Sequence, residues 1–178
     1  MTKLVILDRD GVINYDSQDY IKSVDEFHLI PGSVDAISKL TKAGYHIGIA
    51  TNQSGIARGL YDHQTLESIH GHLMEQVQSA GGRIDIIKYC SHMPESGCPN
   101  RKPAPGMLKD IALYFGVELT GVPYVGDRIT DIIAAKSVGA IPYLIRSSMT
   151  NMDELSQYPD VPTFSSLLEL VEQQLVNR

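Results

Sequence analysis

Leu4-Val5-Ile6-Leu7-Asp8-Arg9-Asp10-Gly11 decides the fold. Four consecutive apolar residues predict a strand buried on both faces, as in parallel sheets covered by helices. Two carboxylates, two residues apart, close that strand, and Gly11 permits a sharp turn straight after them. Carboxylates beside a core are costly unless a cation or hydrogen bonds compensate. A hard divalent cation held by oxygen ligands is the natural compensation. A pair of acids beside such a cation suits phosphoryl transfer. One carboxylate attacks phosphorus and forms an aspartyl-phosphate. The other protonates the leaving oxygen and later deprotonates the attacking water. Asp-x-Asp-Gly also occurs as an acidic turn that merely ends a strand, so the rest of the chain has to decide.

Downstream, strands and helices alternate. Asn14 to Phe27 is polar and irregular, and Pro31-Gly32-Ser33 opens a helix that runs to Ala43. Tyr45 to Ala50 reads as a second strand. Leu66, Ile69, Leu73 and Val77 mark a helix from about Asp62 to Ala80. Ile84 to Tyr89 is a third strand, and Cys90 to Pro105 is a proline-rich loop. A helix at Met107–Phe115, a strand at Val122–Val125, a helix at Asp131–Val138 and a strand at Ile141–Ile145 follow. The tail carries a short strand at Val161–Phe164 and a helix from Ser166 to Val176, with Ser166 and Glu169 placed for a capping box. The fold class is α/β, a doubly wound, mostly parallel sheet with helices on both faces. Ligands in such sheets bind beyond the carboxyl ends of the strands. Asp8/Asp10, Thr51/Asn52 and Gly126/Asp127 all fall at such ends, which predicts one shared site.

Composition agrees. A chain of 178 residues with 43% hydrophobic content is expected to form a single domain over residues 1–178. A net charge of −6 disfavours generic nucleic-acid binding, which needs a basic stripe. No apolar run reaches the roughly 18 residues of a membrane span, and the amino terminus opens on a strand, so the cytoplasm is the expected compartment. Small size and an acidic surface predict a monomer. Cys90 and Cys98 read as metal ligands or inert thiols, not a disulfide.

Phosphoryl transfer also needs groups that hold phosphate oxygens. Thr51 offers a hydroxyl and Asn52 to Gly55 backbone N–H groups. Lys102 offers a point charge and Arg101 a planar fork. Asp127 offers a third acid for Mg²⁺, and Asp131, one helical turn on, is placed to orient Lys102 or metal-bound water. Taken singly, each has a bland reading: turn, surface charge, helix cap. His63, His70 and His72, on one helix, read as surface residues.

Together these residues resemble the haloacid dehalogenase superfamily of phosphatases: Asp8-Arg9-Asp10-Gly11-Val12, then Thr51-Asn52, Lys102 and Gly126-Asp127. The chain closely resembles one branch, the D-glycero-D-manno-heptose 1,7-bisphosphate phosphatases. Its carriers are Thr51-Asn52-Gln53-Ser54-Gly55-Ile56-Ala57-Arg58-Gly59, Cys90-x-His92, Arg101-Lys102-Pro103-x-Pro105-Gly106-Met107 and Val125-Gly126-Asp127. The resemblance spans about Lys3 to Arg146. It implies a haloacid dehalogenase-like Rossmannoid fold without a large cap domain. It implies Asp8 as nucleophile and Asp10 as general acid and base. Mg²⁺ would sit on Asp8, the backbone carbonyl of Asp10, and Asp127, with Thr51 and Lys102 steadying the phosphoryl group. Arg101 would help recognise the substrate, Arg128 stands where the family usually has Lys, and Asp16 to Asp19 with Asn52, Gln53 and Ser54 would touch the sugar. The family removes the 7-phosphate of the heptose bisphosphate and leaves the 1-phosphate for nucleotide activation toward lipopolysaccharide or S-layer heptose.

The chain departs from the family at its metal loop. Cys-x-His is followed there by Cys-x-Cys, but here Cys90-Ser91-His92 precedes Cys98-Pro99-Asn100. Structural zinc is almost always four-coordinate, and an amide oxygen is a poor substitute for thiolate. Zn²⁺ on Cys90, His92 and Cys98 therefore remains open, as does a loop held by its prolines. Two further readings also stay open. Histidinol-phosphate phosphatases share the metal loop and the mechanism. A phospho-accepting receiver module has acids at strand ends and a Lys in the same fold class, but needs no acid two residues after its phospho-acceptor. Asp10 is the residue that separates the enzyme from the module.

Overall fold

The computed structural model describes residues 1–177. Six parallel strands, β1 (Lys3–Leu7), β2 (Tyr45–Asn52), β3 (Ile86–Cys90), β4 (Pro123–Gly126), β5 (Ile141–Ile145) and β6 (Thr163–Phe164), stand in the order β3-β2-β1-β4-β5-β6. β1 is central, and its alternation explains the two layers of helix. Val5 and Leu7 face a core completed by α1 (Ser33–Lys42), α2 (His63–Ser79) and α6 (Leu167–Leu170). Leu4 and Ile6 face a second core, under α3 (Gly106–Phe115) and α4 (Ile129–Ser137). A strand with apolar residues on both faces has to be covered on both. This is the doubly wound α/β sheet of the sequence reading.

From β1 the chain winds outward to β2 and β3, then crosses back to place β4 on the other side of β1. A crevice opens beyond the carboxyl ends at that reversal. Register brings the polar sets to one level: Leu7 lies beside Ile49 of β2 and Val125 of β4, and the Asp8 N–H donates to the Val125 carbonyl at 2.8 Å.

Several boundaries moved, each for a tertiary reason. β2 continues through Thr51 and Asn52, because β3 pairs with both. α4 starts at Ile129, since Asp131 caps the Arg128 N–H from the third helical position. The tail helix is shorter: α6 passes after Leu170 into a π-helical turn, Val171–Leu175. Its capping box is also displaced, for Ser166 accepts from Glu169 N–H while Glu169 takes the N–H and hydroxyl of Ser165. A short helix α5 (Met152–Leu155), capped by Asn151, carried no periodic signal. Among the described residues no helix is long and apolar enough to cross a membrane.

The histidines on α2 correct the surface reading in one case. His70 is only 7% exposed, because it turns toward Arg9. His63 meets the Tyr89 hydroxyl, and His72 packs edge-on to Phe27.

Candidate active site

Asp8 leaves β1 into the crevice, almost fully buried. Its Oδ1 accepts from the Arg9 backbone N–H at 2.7 Å and pairs with Lys102 Nζ at 3.1 Å. Lys102 arrives on the loop between β3 and α3. Its ammonium is held at four points: Asp8, Asp131 Oδ1 at 2.8 Å, the Tyr124 hydroxyl at 3.0 Å and the Ala50 carbonyl at 2.9 Å. Burial alone would lower the Lys102 pKa, but Asp131 and Asp8 outweigh it and hold the ammonium charged. Asn52 aims the lysine by clamping its backbone, accepting from Lys102 N–H and donating to Lys102 O, each at 3.1 Å.

Asp127 and Asp131 divide the labour predicted for the last acids. Asp131 is saturated: besides Lys102, it accepts from the Tyr124 hydroxyl at 2.6 Å and from the N–H groups of Asp127 and Arg128. It orients Lys102. Asp127 Oδ2 accepts from the Ser147 hydroxyl at 2.6 Å, and its Oδ1 is buried without a hydrogen-bond partner. Gly11 makes room for it: at φ +82°, a Cβ there would lie 2.0 Å from Asp127 Oδ2. Ligand atoms of Asp8, Asp127 and Asp131 lie within 4.8 Å of one another. Three carboxylates against one ammonium leave the excess charge that one divalent cation neutralises, and the unpartnered Asp127 oxygen faces that need. These residues fit Mg²⁺. Their crowding shows in the acidities: burial, then Asp131, pushes Asp127 up to about 7 against the Ser147 hydrogen bond. Burial also drives Asp8 well above the carboxylate range, with Lys102 opposing.

Asp10 has the opposite environment. Its Oδ1 accepts from Arg9 Nε and Nη2 and from Asn14 Nδ2, and its Oδ2 accepts from Gln53 Nε2 at 3.0 Å. Burial favours the neutral acid, yet the Arg9 charge and these donors prevail and lower its pKa. Gln53 also donates to Thr51 Oγ1 and accepts from the Tyr61 hydroxyl. Thr51 and Gln53 thus form a buried brace beneath Asp10.

Over these groups opens a cavity of about 480 Å³. Asp8, Asp10, Lys102, Asn52, Gln53 and Ser54 line its inner part, and Arg58, Arg101, Arg128 and Asp16 its mouth. Arg101 donates to the His92 carbonyl, and Arg128 pairs with Asp16 at 2.8 Å. Asp19 is a correction. Asp16, Ser17, Gln18 and Tyr20 of the same turn line the cavity, but Asp19 does not; it is exposed, and its carbonyl takes the Lys22 ammonium. Tyr20, at φ +66°, lines the cavity instead and packs under Arg58. Tyr20, Arg58, Tyr124, Ser147 and Thr150, whose hydroxyl donates to the Asp127 carbonyl, escaped the sequence reading; only Arg58, within the Thr51–Gly59 run, carried a signal.

On the cysteine loop, Cys90 Sγ lies 3.6 Å from His92 Nδ1 and 3.8 Å from Cys98 Sγ. Tetrahedral zinc with bonds of about 2.3 Å to sulfur and about 2.0 Å to nitrogen has edges of about 3.5 and about 3.8 Å. Two of the three edges therefore match, the third lies within 4.8 Å, and Asn100 stands in sequence where the family has its fourth ligand.

The family model of HAD-hydrolase-like proteins matches residues 99–170. The chain is 52% identical over 144 residues to the D-glycero-beta-D-manno-heptose-1,7-bisphosphate 7-phosphatase of Pseudomonas aeruginosa, covering 81% of each protein. It is 54% identical over 145 residues to that of Pseudomonas putida, covering 82% of this chain and 83% of the relative. The crystal structure of D,D-heptose 1,7-bisphosphate phosphatase from B. bronchiseptica, complexed with magnesium and phosphate, superposes with a TM-score of 0.91 at 43% identity over 98% of both chains.

The raised pKa of Asp127 sets a pH dependence. Between the unfolded carboxylate value of about 4 and about 7, the metal-free folded protein holds a proton there that the unfolded chain has released. Metal-free stability loses this contribution as pH rises across that window. Mg²⁺ needs the ionised carboxylate, so the rise in Tm on adding Mg²⁺ is expected to grow over the same window and then level off. Thermal melts with EDTA and with excess Mg²⁺ across the window check this; a Mg²⁺ increment independent of pH would contradict it.

Proposed function

The chain belongs to the D-glycero-beta-D-manno-heptose-1,7-bisphosphate 7-phosphatase family, and from that premise we propose that it removes the 7-phosphate of the heptose bisphosphate through an aspartyl-phosphate on Asp8. Residues 1–178 act as one phosphatase domain in this reading, and the product keeps its 1-phosphate. What carries the substrate assignment is the cavity itself: nucleophile, acid and lysine at the inner end, and three arginines around the mouth. One phosphate at the reacting end needs Lys102; guanidinium groups at the mouth suit a second, distal phosphate.

Asp8 Oδ1 is occupied by Arg9 N–H and Lys102, so Oδ2 attacks phosphorus. The bond from phosphorus to the sugar oxygen breaks, and Asp10 delivers a proton to that oxygen. Asp10 rests ionised beside Arg9; the phosphate's negative charge next to it raises its pKa and lets it take up the proton it then gives. Water next attacks the aspartyl-phosphate, Asp10 takes the water's proton, and phosphate leaves with Asp8 restored. Lys102 and the Thr51 hydroxyl stabilise the phosphoryl oxygens. Asp8, Asp127 and the Asp10 carbonyl would hold Mg²⁺, which when bound supplies positive charge for those oxygens. Asn52, Gln53, Ser54 and Asp16 shape the sugar site.

Zn²⁺ on Cys90, His92 and Cys98 belongs to the same proposal, supported by the matching edges. It would brace the loop that carries Arg101 and Lys102. Elemental analysis of protein prepared without chelator is expected to find zinc, and Cys98→Ser to lose it; zinc absent from both would refute the assignment.

Two outcomes test the activity. Asp8→Asn is expected to abolish turnover, because an amide oxygen does not attack phosphorus usefully; substantial residual hydrolysis would remove Asp8 as nucleophile. With Mg²⁺ present, kcat/KM for heptose 1,7-bisphosphate is expected to exceed that for histidinol phosphate by at least about tenfold, the effect of roughly one additional charge-assisted contact. The reverse order would move the protein to histidinol phosphate with the mechanism intact.

A further inference from the structure

Arg9 is fully buried, a permanent cation inside the protein. It belongs to neither predicted role of the Asp-x-Asp stretch, yet all three arms of its guanidinium are engaged. Nε and Nη2 both reach Asp10 Oδ1, at 2.9 and 2.8 Å, and Nη1 reaches His70 Nε2 at 3.1 Å. The Phe27 ring packs on its face, 5.7 Å from Cζ. Because a guanidinium has donors and no acceptor, the His70 Nε2 must accept, which places the imidazole proton on Nδ1. Burial and the neighbouring Arg9 charge push the His70 pKa down to about 3, so the ring stays neutral and keeps that lone pair.

The consequence appears on Asp10. Two Arg9 donors and Asn14 Nδ2 occupy Oδ1, whereas Oδ2 meets only Gln53 Nε2, and Asp10 lines the cavity. An oxygen with three donors has no lone pair to spare for a proton; Oδ2 has. We propose that His70 is a positioning residue for the acid–base step: by accepting from Nη1 it fixes the guanidinium that saturates Oδ1 and leaves Oδ2 as the oxygen that exchanges the proton with leaving group and water. Without the acceptor, Nη1 is a buried unpaired donor and the guanidinium turns to satisfy it, taking Asp10 with it. This inference rests on the proposed assignment of Asp10 as acid and base, not on the identity of the sugar.

The test compares His70→Leu, which removes the acceptor, with His70→Gln, which keeps one. Activity is measured on the heptose bisphosphate, whose alkoxide leaving group requires a proton, and on p-nitrophenyl phosphate, whose phenolate leaves without one. kcat/KM reports the step in which the leaving group departs. His70→Leu is expected to lower kcat/KM for the sugar phosphate by about tenfold or more through kcat, within the roughly 10²–10⁴-fold span of acid–base catalysis, and to affect the aryl ester far less. His70→Gln should recover most of the loss. Equal losses on both esters, with Gln no better than Leu, would assign His70 to packing alone and overturn the proposal. If wild type ignores the heptose bisphosphate, the substrate reading fails, and the comparison proceeds on an alkyl phosphate that it hydrolyses. Should His70→Leu fail to fold, the ¹⁵N spectrum of the wild-type ring decides: a neutral ring protonated on Nδ1 supports the proposal, and a proton on Nε2 overturns it.

Discussion

One buried ion cluster organises the molecule. Lys102 Nζ sits between Asp8 and Asp131, with the Tyr124 hydroxyl and the Ala50 carbonyl completing its shell. These partners come from the ends of β1, β2 and β4, from α4, and from the loop after β3. A buried ammonium is expensive unless each proton finds an acceptor, and each of these carboxylates is expensive without it. The parts therefore specify one another. The cluster holds the carboxyl ends of three strands at the point where the sheet reverses its winding, and that is where the cavity opens.

The two acids of the opening motif are separated by environment, not by type. Asp8 lies among Asp127, Asp131 and Lys102, where burial raises its pKa and a divalent cation would restore its charge. Asp10, two residues on, turns toward Arg9, Asn14 and Gln53, which hold it ionised. Groups pushed apart in this way can take different roles in one reaction. The division follows from backbone geometry: Gly11 at φ +82° bends the chain after Asp10 and leaves the space that Asp127 occupies.

Much of this was legible in the chain. Apolar runs ending in polar residues revealed a two-faced sheet with its site at the strand ends, and Asp8, Asp10, Lys102 and Asp127 do converge there. The failures have a common form. His70 looks like a surface residue on an amphipathic helix, and Arg9 had no reading beyond its place in the motif, because one-dimensional spacing shows which face a residue occupies and not what meets it. Tyr124 looks like an ordinary strand aromatic, and Ser147 and Thr150 like loop polarity. Asp19 looked as suited to the cavity as Asp16, but Asp16 pairs with Arg128 at the cavity, whereas Asp19 is exposed and its carbonyl takes the Lys22 ammonium.

By itself, then, the sequence determined the layered fold, the order of its main elements and the gathering of the central acids at the strand ends. Those depend on local periodicity and on residue type, which a linear chain displays. The tertiary structure alone decided which acid is free to bind a cation and which is already saturated, which oxygen of Asp10 is loaded with donors, and which arginine is buried in the core and which line the cavity. Each is a matter of hydrogen bonds between residues far apart in sequence, such as Arg9 to His70 and Lys102 to Asn52. Such partners are chosen by the packing of helices on the sheet, and no spacing along the chain records them.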